Sequence, residues 1–430
     1  LWRIKTGSAY DKIVKQRYRM KNIRLILNFY SQNKLPAVIM FVTYTLALMI
    51  VVLSVGEYRY ITYSRDQFIN LANKELLYCM PQMNYGKMME LEGDSQRVFI
   101  QQMEDEAAKY KAYQPFSTIS HINLVYNGQS EKGYLYSEQL LATQRVNLAE
   151  GNWFAQYDAN ADYFDVILSG QRYADKQLGE VFEVSILTDS LQEYPIRVRA
   201  VGRLSPPNML PSFSMSGSNI TANNLYESFY GLVFMENDRL LKTLDQSKTH
   251  TSTYSSFMAT MDPSATAAEK EAYLEFLKAQ GIVTTYDEIL ENTVPVVEEK
   301  LRRTLPTPIF FLVIVTIACV SVAVLFVHKK LGEYAIYYLC GCSRGKTYMY
   351  MLLGIGLISA VGAGLNMLLC VSYPMLASLG ILSLGNVLLD NWSLTFIALY
   401  AAFTILLSVS IPFITFRKNT PIEVYRRFES

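Results

Sequence analysis

The chain has 430 residues, 51% hydrophobic and 18% charged, with a formal net charge of +1 and a mean hydropathy of +0.13. These averages hide a segregated chain: residues 37–56 and 308–327 each run 20 positions without a charge, 348–389 runs 42 and 391–416 runs 26. Uncharged runs that long exclude a wholly soluble fold, because a helix rising about 1.5 Å per residue needs only about 20 apolar residues to cross a bilayer core, whereas buried helices of soluble proteins show runs of about 10–14. A signal peptide is not the expected reading of the first run, which is long, lies behind 36 residues and is followed by no A-x-A-like site.

In chain order, residues 1–36 form a basic segment with nine Lys and Arg against Asp11. Within it Ile23, Ile26, Leu27 and Tyr30 recur at i, i+3, i+4 and i+7, opposite Arg24, Asn28 and Ser31. That spacing predicts an amphipathic helix, lying at the membrane surface or forming the wet start of the first span. Transmembrane helix one is predicted over 37–56.

Residues 57–306 follow, with 22 Lys plus Arg and 33 Asp plus Glu, a net of −11. Residues 57–80 read as a helical extension, and 94–113 as a second helix with Asp94 as N-cap. The texture then changes to strands. Residues 121–126 and 133–136 flank an Asn127-Gly128 turn signal. Further strands are predicted over 164–168, 181–187 and 196–201, the last alternating as Ile-Arg-Val-Arg-Ala-Val. Residues 205–224, rich in Ser, Pro, Asn and Met, read as a loop or an insertion. A helix over 265–280 is closed by Gly281 and followed by a strand over 282–285. Asn292-Thr293 ahead of Pro295 reads as the start of a new helix, which leads into transmembrane helix two at 307–327.

A loop over 328–347, transmembrane helix three over 348–373, an apolar loop over 374–393, transmembrane helix four over 394–416 and a tail over 417–430 complete the chain. Pro374, Gly380 and Gly385 are the reason for dividing the 42-residue run. Basic residues mark cytoplasmic segments, and all three basic segments fall on one side: 1–36; 328–347 with Lys329, Lys330, Arg344 and Lys346; and the tail with Arg417, Lys418, Arg426 and Arg427. The expected fold class is therefore an α-helical membrane protein with four transmembrane helices and a large α+β extracytoplasmic domain inserted between helices one and two, both termini being cytoplasmic. Of the five cysteines only Cys79 falls in that domain, so no disulfide can form within it.

Three groups of residues carry a family resemblance. Glu333-Tyr-Ala-Ile-Tyr-Tyr-Leu-Cys-Gly-Cys-Ser-Arg344 resembles an E-x-G-x-x-R-A-x-G-A-S-R segment at Glu333, Ile336, Gly341, Ser343 and Arg344, and departs from it at Ala335, Tyr338 and Leu339. Pro421-Ile-Glu-Val-Tyr-Arg426, with Pro421 and Glu423, is similar to a P-x-E-A-L-R ending. Leu148-Ala-Glu-Gly-Asn-Trp-Phe154 resembles L-x-x-G-R-W-F. In this order, with four spans around one large insertion, they resemble the MacB/FtsX-like permeases, the mechanotransmission type of ABC transporter.

The resemblance implies a multi-pass permease of a bacterial plasma membrane. It implies cytoplasmic ABC ATPase subunits as partners and a second permease chain, identical or homologous. Glu333, Ile336, Gly341, Ser343, Arg344, Pro421 and Glu423 would be the coupling residues, and export or removal of a peptide, antibiotic or lipoprotein the task. The alternative within the family is an FtsX-like signalling protein that regulates an extracellular cell-wall hydrolase; a membrane-tethered sensor without an ATPase is a third reading.

No catalytic role is expected in this chain. The nearest string to a Walker A loop, Gly341-Cys-Ser-Arg-Gly-Lys-Thr347, is one residue short between its glycines and precedes a span. ATP and Mg are accordingly expected on the partner ATPase, with no cofactor here. Cys79, His121 and His250 are too scattered to argue a metal site, and no H-E-x-x-H or G-x-S-x-G arrangement occurs. The 328–347 loop, with apolar Tyr334, Ile336, Tyr337 and Leu339 beside Arg344 and Lys346, fits a short amphipathic helix, docking on a protein groove or anchoring on membrane lipid. Gly356, Ala360 and Gly364 place a small residue every fourth position of span three, a packing row for a second chain or for a helix of the same one. The acidic, tyrosine-rich domain could attract a cationic extracellular peptide or protein; no nucleic acid is expected as a partner, and the substrate is not legible.

Overall fold

The computed structural model describes residues 34–71, 74–82, 95–144, 146–154, 161–205, 207–213, 219–249, 251–328, 336, 341–378, 387–389 and 391–418. The predicted surface helix at 23–30, the Asp94 cap, His250, most of 328–340 and the tail beyond Lys418 lie outside them. The chain divides into two compact units, one built mainly from Arg59–Arg302 and the other from the apolar helices.

A single helix, α1 (Lys34–Leu71), covers the first apolar run and continues past it. It covers residues 57–71 of the predicted extension and stops nine residues before its end, because Leu76–Pro81 is strand β1. Leu-Leu-Tyr-Cys-Met is apolar without a period, so it satisfies a strand buried on both faces as well as it does a helix. Helix α2 (Ser95–Ala107) is likewise shorter than predicted. The hairpin β2 (Ile119–Tyr126) and β3 (Gln129–Tyr136) turns at Asn127 and Gly128, both with positive φ of 51° and 72°, as a two-residue primed turn requires. Helix α3 (Glu138–Thr143) and edge strand β4 (Leu148–Gly151) precede β5 (Phe164–Ser169), β6 (Val181–Leu187) and β7 (Glu193–Leu204). The segment predicted as loop holds β8 (Met209–Pro211) and the start of α4 (Ala222–Leu225), with β9 (Tyr226–Ser228) after it. Then come β10 (Gly231–Met235), α5 (Asp238–Gln246), β11 (Ser252–Thr253) and β12 (Phe257–Thr260). Helix α6 (Ala267–Gln280), β13 (Gly281–Thr285) and α7 (Tyr286–Thr304) end the unit.

Six strands close on themselves. β2 pairs with β3, β3 with β10, β10 with β5, β5 with β7, β7 with β6, and β6 returns to β2 through Leu124↔Ile186 and Val125↔Ser185. The β3–β10 and β5–β7 pairs are parallel and the others antiparallel. The inward residues, among them Leu124, Leu135, Val166, Val184, Val198 and Phe234, form one buried cluster, with Leu240 and Leu244 of α5 packed into it. Closure leaves these strands few open edges. β4 adds to the outside of β7, where Gly151 (φ 79°) brings the chain against the Val201 carbonyl.

A second sheet runs β12-β1-β13, antiparallel throughout. One face of β1, Leu77 and Cys79, packs on α2 and α6. The other, Leu76 and Tyr78, joins the cluster that holds Phe68 of α1 and Tyr286 and Ile289 of α7. Helix α7 begins at Tyr286 rather than near Asn292, and Pro295 lies inside it. The start is set by a capping box: Glu288 N donates to Thr285 Oγ1 (3.4 Å) while Glu288 Oε2 accepts from Thr285 N (2.7 Å). Helix α6 starts by the same device at Thr266 and Glu269.

The other unit holds α8 (Pro306–His328), α9 (Arg344–Ser378) as far as Tyr373, α10 (Asn391–Lys418) and the first part of α1. These are four helices long and apolar enough to cross a membrane. Pro374 does not end α9, which runs on to Ser378. Met40, Tyr44, Cys319, Phe326, Ile355 and Val409 pack together inside, while Phe310, Ile317, Leu368 and Phe403 are exposed, the pattern expected for helices that meet lipid.

Two outcomes test this fold. A Cβ at Gly231 (φ 152°) would sit 2.0 Å from the Lys132 carbonyl oxygen, whereas one at Gly179 (φ 82°) meets nothing within 4 Å. Gly231→Ala is expected to destabilise by about 3 kcal/mol or more and Gly179→Ala by about 1 kcal/mol, read by denaturant unfolding in detergent. At the α6 cap, the hydrogen bond from Lys111, then those from Thr266, hold the Glu269 carboxyl down at about 2, below its ordinary 4.5. The folded form binds that proton less readily than the unfolded chain, so the cap contributes fully above pH 4.5 and is lost as pH falls toward 2. The difference in Tm between Glu269→Gln and the parent should therefore shrink across that window.

Candidate functional site

The coupling residues named above can be located in part. Glu333, Pro421 and Glu423 lie outside the described residues. Ile336 is helical and exposed. Gly341 has φ 90°, a conformation that costs a side chain about 1–2 kcal/mol. Ser343 then caps α9, its Oγ accepting from Lys346 N at 3.4 Å, and Arg344 is the first helical residue. Gly341 and Ser343 thus have a local reason to be present: a left-handed turn followed by a helix N-cap.

The charge at this helix start is less expected. The first turn of α9 has no acidic residue and carries Arg344 and an exposed Lys346. Cations at a helix N-terminus oppose the macrodipole, at about 0.3–1 kcal/mol each. Acidic groups brought by a partner protein or by lipid would relieve that opposition. The first turn itself supplies no acidic group that would do so.

Among the described residues, the row Gly356, Ala360 and Gly364 of α9 is largely open. Ala360 and Gly364 are exposed, and a Cβ built at Gly356 or Gly364 meets nothing within 4 Å. Packing within the chain uses a different row. A Cβ at Gly362 would meet Thr45 Oγ1 of α1 at 3.1 Å, and Asn366 Nδ2 donates to the Thr45 carbonyl (3.2 Å) and to the Gly362 carbonyl (3.0 Å). Sequence reasoning missed this contact; the signal was Asn366, a polar side chain inside an uncharged span. Two more hydrogen bonds join helices: Tyr44 OH to Ser408 Oγ at 2.9 Å, and Tyr400 OH to Thr316 Oγ1 at 2.7 Å.

Several tyrosines of the strand-bearing unit serve its core. Tyr78, Tyr136, Tyr173 and Tyr273 are among the largest fully buried side chains. Tyr134 stacks on Phe229 and donates to Glu227 Oε1 at 2.5 Å; burial, then that hydrogen bond, push its phenol far up. Burial likewise pushes the Cys79 thiol up, keeping it protonated. His121 lies in β2 with its ring 5.4 Å from that of Tyr254. Among the described residues no three of His, Cys, Asp and Glu gather as a metal site. The Leu148–Phe154 motif is structural too: Trp153 Nε1 donates to the Val146 carbonyl (2.9 Å), and Leu148, Trp153 and Phe154 pack on the core.

No family model matches the sequence, and no curated protein matches it. Among solved structures, the periplasmic region of MacB from Actinobacillus actinomycetemcomitans is similar at 14% identity and a TM-score of 0.31, over 52% of this chain and 94% of that one. The extracellular domain of the noncanonic ABC-type transporter YknZ from Gram-positive bacteria is similar at 11% identity and a TM-score of 0.27, over 46% and 87%. A domain of a Porphyromonas gingivalis protein described as a permease gives 12% and 0.23, over 40% and 72%. These likenesses are partial and distant, and the reading of function rests on this chain's own residues.

The two rows of α9 separate by substitution. Gly362→Leu is expected to lower thermal stability in detergent strongly, by about 2 kcal/mol or more through forced repacking against Thr45. Gly364→Leu should leave the stability of the single chain within about 0.5 kcal/mol.

Proposed function

We propose that this chain is the permease subunit of an ABC transporter. In this reading a separate cytoplasmic ATPase, carrying ATP and Mg, drives movements of the strand-bearing unit on the far side of the membrane. The task is export or removal of a peptide, antibiotic or lipoprotein, and a second permease chain packs on the Gly356, Ala360 and Gly364 row.

The observation that carries this reading is the division of labour along the chain. All described strands fall between the first and second of four long apolar helices. One group of the resemblance, Glu333 to Arg344, lies elsewhere, just before and at the start of the third, where a Gly341 turn and Ser343 cap lead into a first turn with Arg344 and Lys346. In this reading the cationic helix start, with exposed apolar Ile336 a few residues before it in sequence, docks on a protein groove with acidic walls. Glu333, Pro421 and Glu423 join it by resemblance.

Purification of the tagged full chain from its native membrane under mild conditions tests the proposal. A Walker-motif subunit should accompany it, and the ATPase activity of the complex should rise with substrate. Arg344→Ala and Glu333→Ala should abolish that rise while the strand-bearing unit keeps its thermal unfolding transition. Recovery of a stoichiometric cell-wall hydrolase and no stimulated ATPase would turn the reading to the signalling alternative.

A further inference from the structure

Two helices carry the chain into and out of the strand-bearing unit, and they are built differently. α1 runs unbroken for 38 residues, from Lys34 to Leu71. Gly56 lies within it, but glycine keeps its backbone hydrogen bonds. α7 holds Pro295 in its interior. Proline has no N–H for the carbonyl four residues back, that of Glu291, and its ring crowds that carbonyl; an interior proline costs a helix about 3 kcal/mol.

The chain fastens α7 immediately before this weak point. Tyr286 stacks on Phe68 at 5.1 Å, and Tyr286 and Ile289 are buried in the core. Asn292 Nδ2 donates to the Ile220 carbonyl (3.2 Å). Thr293, fully buried, donates from Oγ1 to the Ile289 carbonyl (2.5 Å) and accepts at the same oxygen from Ala222 N (2.8 Å). A threonine hydroxyl on the carbonyl four residues back also bends helices. After Pro295, which is itself exposed, Val297 is the buried side chain of α7, and Glu298, Lys300 and Arg302 are exposed.

We propose that α7 is a jointed strut: Asn292 and Thr293 are clamped by the 220–222 segment, and residues 296–304 swing about a joint at 294–295. α1 is the unjointed counterpart. A locally costly proline set just beyond a purpose-built clamp is the arrangement expected where bending is used, since local rules are broken mainly at functional places. The purpose assigned to the swing rests on the transporter reading, whereas the hinge itself does not.

The test is a spin-label distance across the joint. Labels at Asp287 and Arg302, both exposed, go into the full chain in lipid nanodiscs, with Cys340 and Cys342 changed to Ser. A straight helix would separate these positions by about 22 Å. The expected result is a broad or two-peaked distribution in the parent, at least twice as wide as in Pro295→Ala, which should fold and unfold at a higher temperature. Thr293→Val, which removes the acceptor of Ala222 N, should widen the distribution further. Equal, narrow distributions in parent and Pro295→Ala would overturn the hinge. A broad distribution in a chain that recovers no ATPase would uphold the hinge and count against the transporter reading alone.

Discussion

Strand β1 lies between β12 and β13, with Leu77 opposite both Ala259 and Thr285. That placement ties the beginning of a long insertion to its end. The chain leaves α1, forms β1 within a few residues, builds the closed barrel, and comes back only at residue 257 to lay down the two flanking strands. Ordering so long a loop costs backbone entropy that grows slowly with length, and no disulfide is available to offset it. The compensation is burial on both faces. Leu77 and Cys79 point to one cluster, Leu76 and Tyr78 to another, at about 1.5–3 kcal/mol for each large apolar side chain.

This double burial also explains which strands the sequence disclosed. β6 and β7 have one face inside the barrel and one outside, so Val-Phe-Glu-Val-Ser-Ile-Leu and Ile-Arg-Val-Arg-Ala-Val alternate and could be read. β1, β10 and β12 are buried almost throughout, and Gly-Leu-Val-Phe-Met has no period to read. The four apolar helices were legible from charge alone. Helix starts were legible but misread: Thr285 and Glu288 stood in the sequence as a capping box, and Pro295 drew the boundary away from them because proline more often opens a helix than sits inside one. At the other end of the chain, Pro374 was given the same weight and α9 passed through it.

The candidate site was legible only as residue types. Gly341 and Ser343 turn out to have local structural duties, so their presence speaks for a sharp helix start. What local structure does not account for is the sign of the charge at that start. The two small-residue rows on α9 show a related limit. In a helix apolar all round, rows through Gly356 and through Gly362 look alike, and only a polar side chain on one of them tells which faces protein. Asn366 does so here, through its bond to the Thr45 carbonyl, because an amide inside a bilayer needs a partner.

The energies around α7 set what such a strut can do. The clamp at 220–222 consists of two hydrogen bonds to Asn292 and Thr293, each with a net worth of about 0.5–1.5 kcal/mol. Cooperative unfolding of a domain costs about 5–15 kcal/mol. A pull along α7 therefore meets its softest element first at the proline, where a hydrogen bond is already missing, then at the clamp, and only last at the β1–β13 ladder. That order lets the second half of α7 move while the barrel and its core stay folded. Reversed, with a continuous helix and a weaker sheet, the same load would open the strand pairing that closes the insertion.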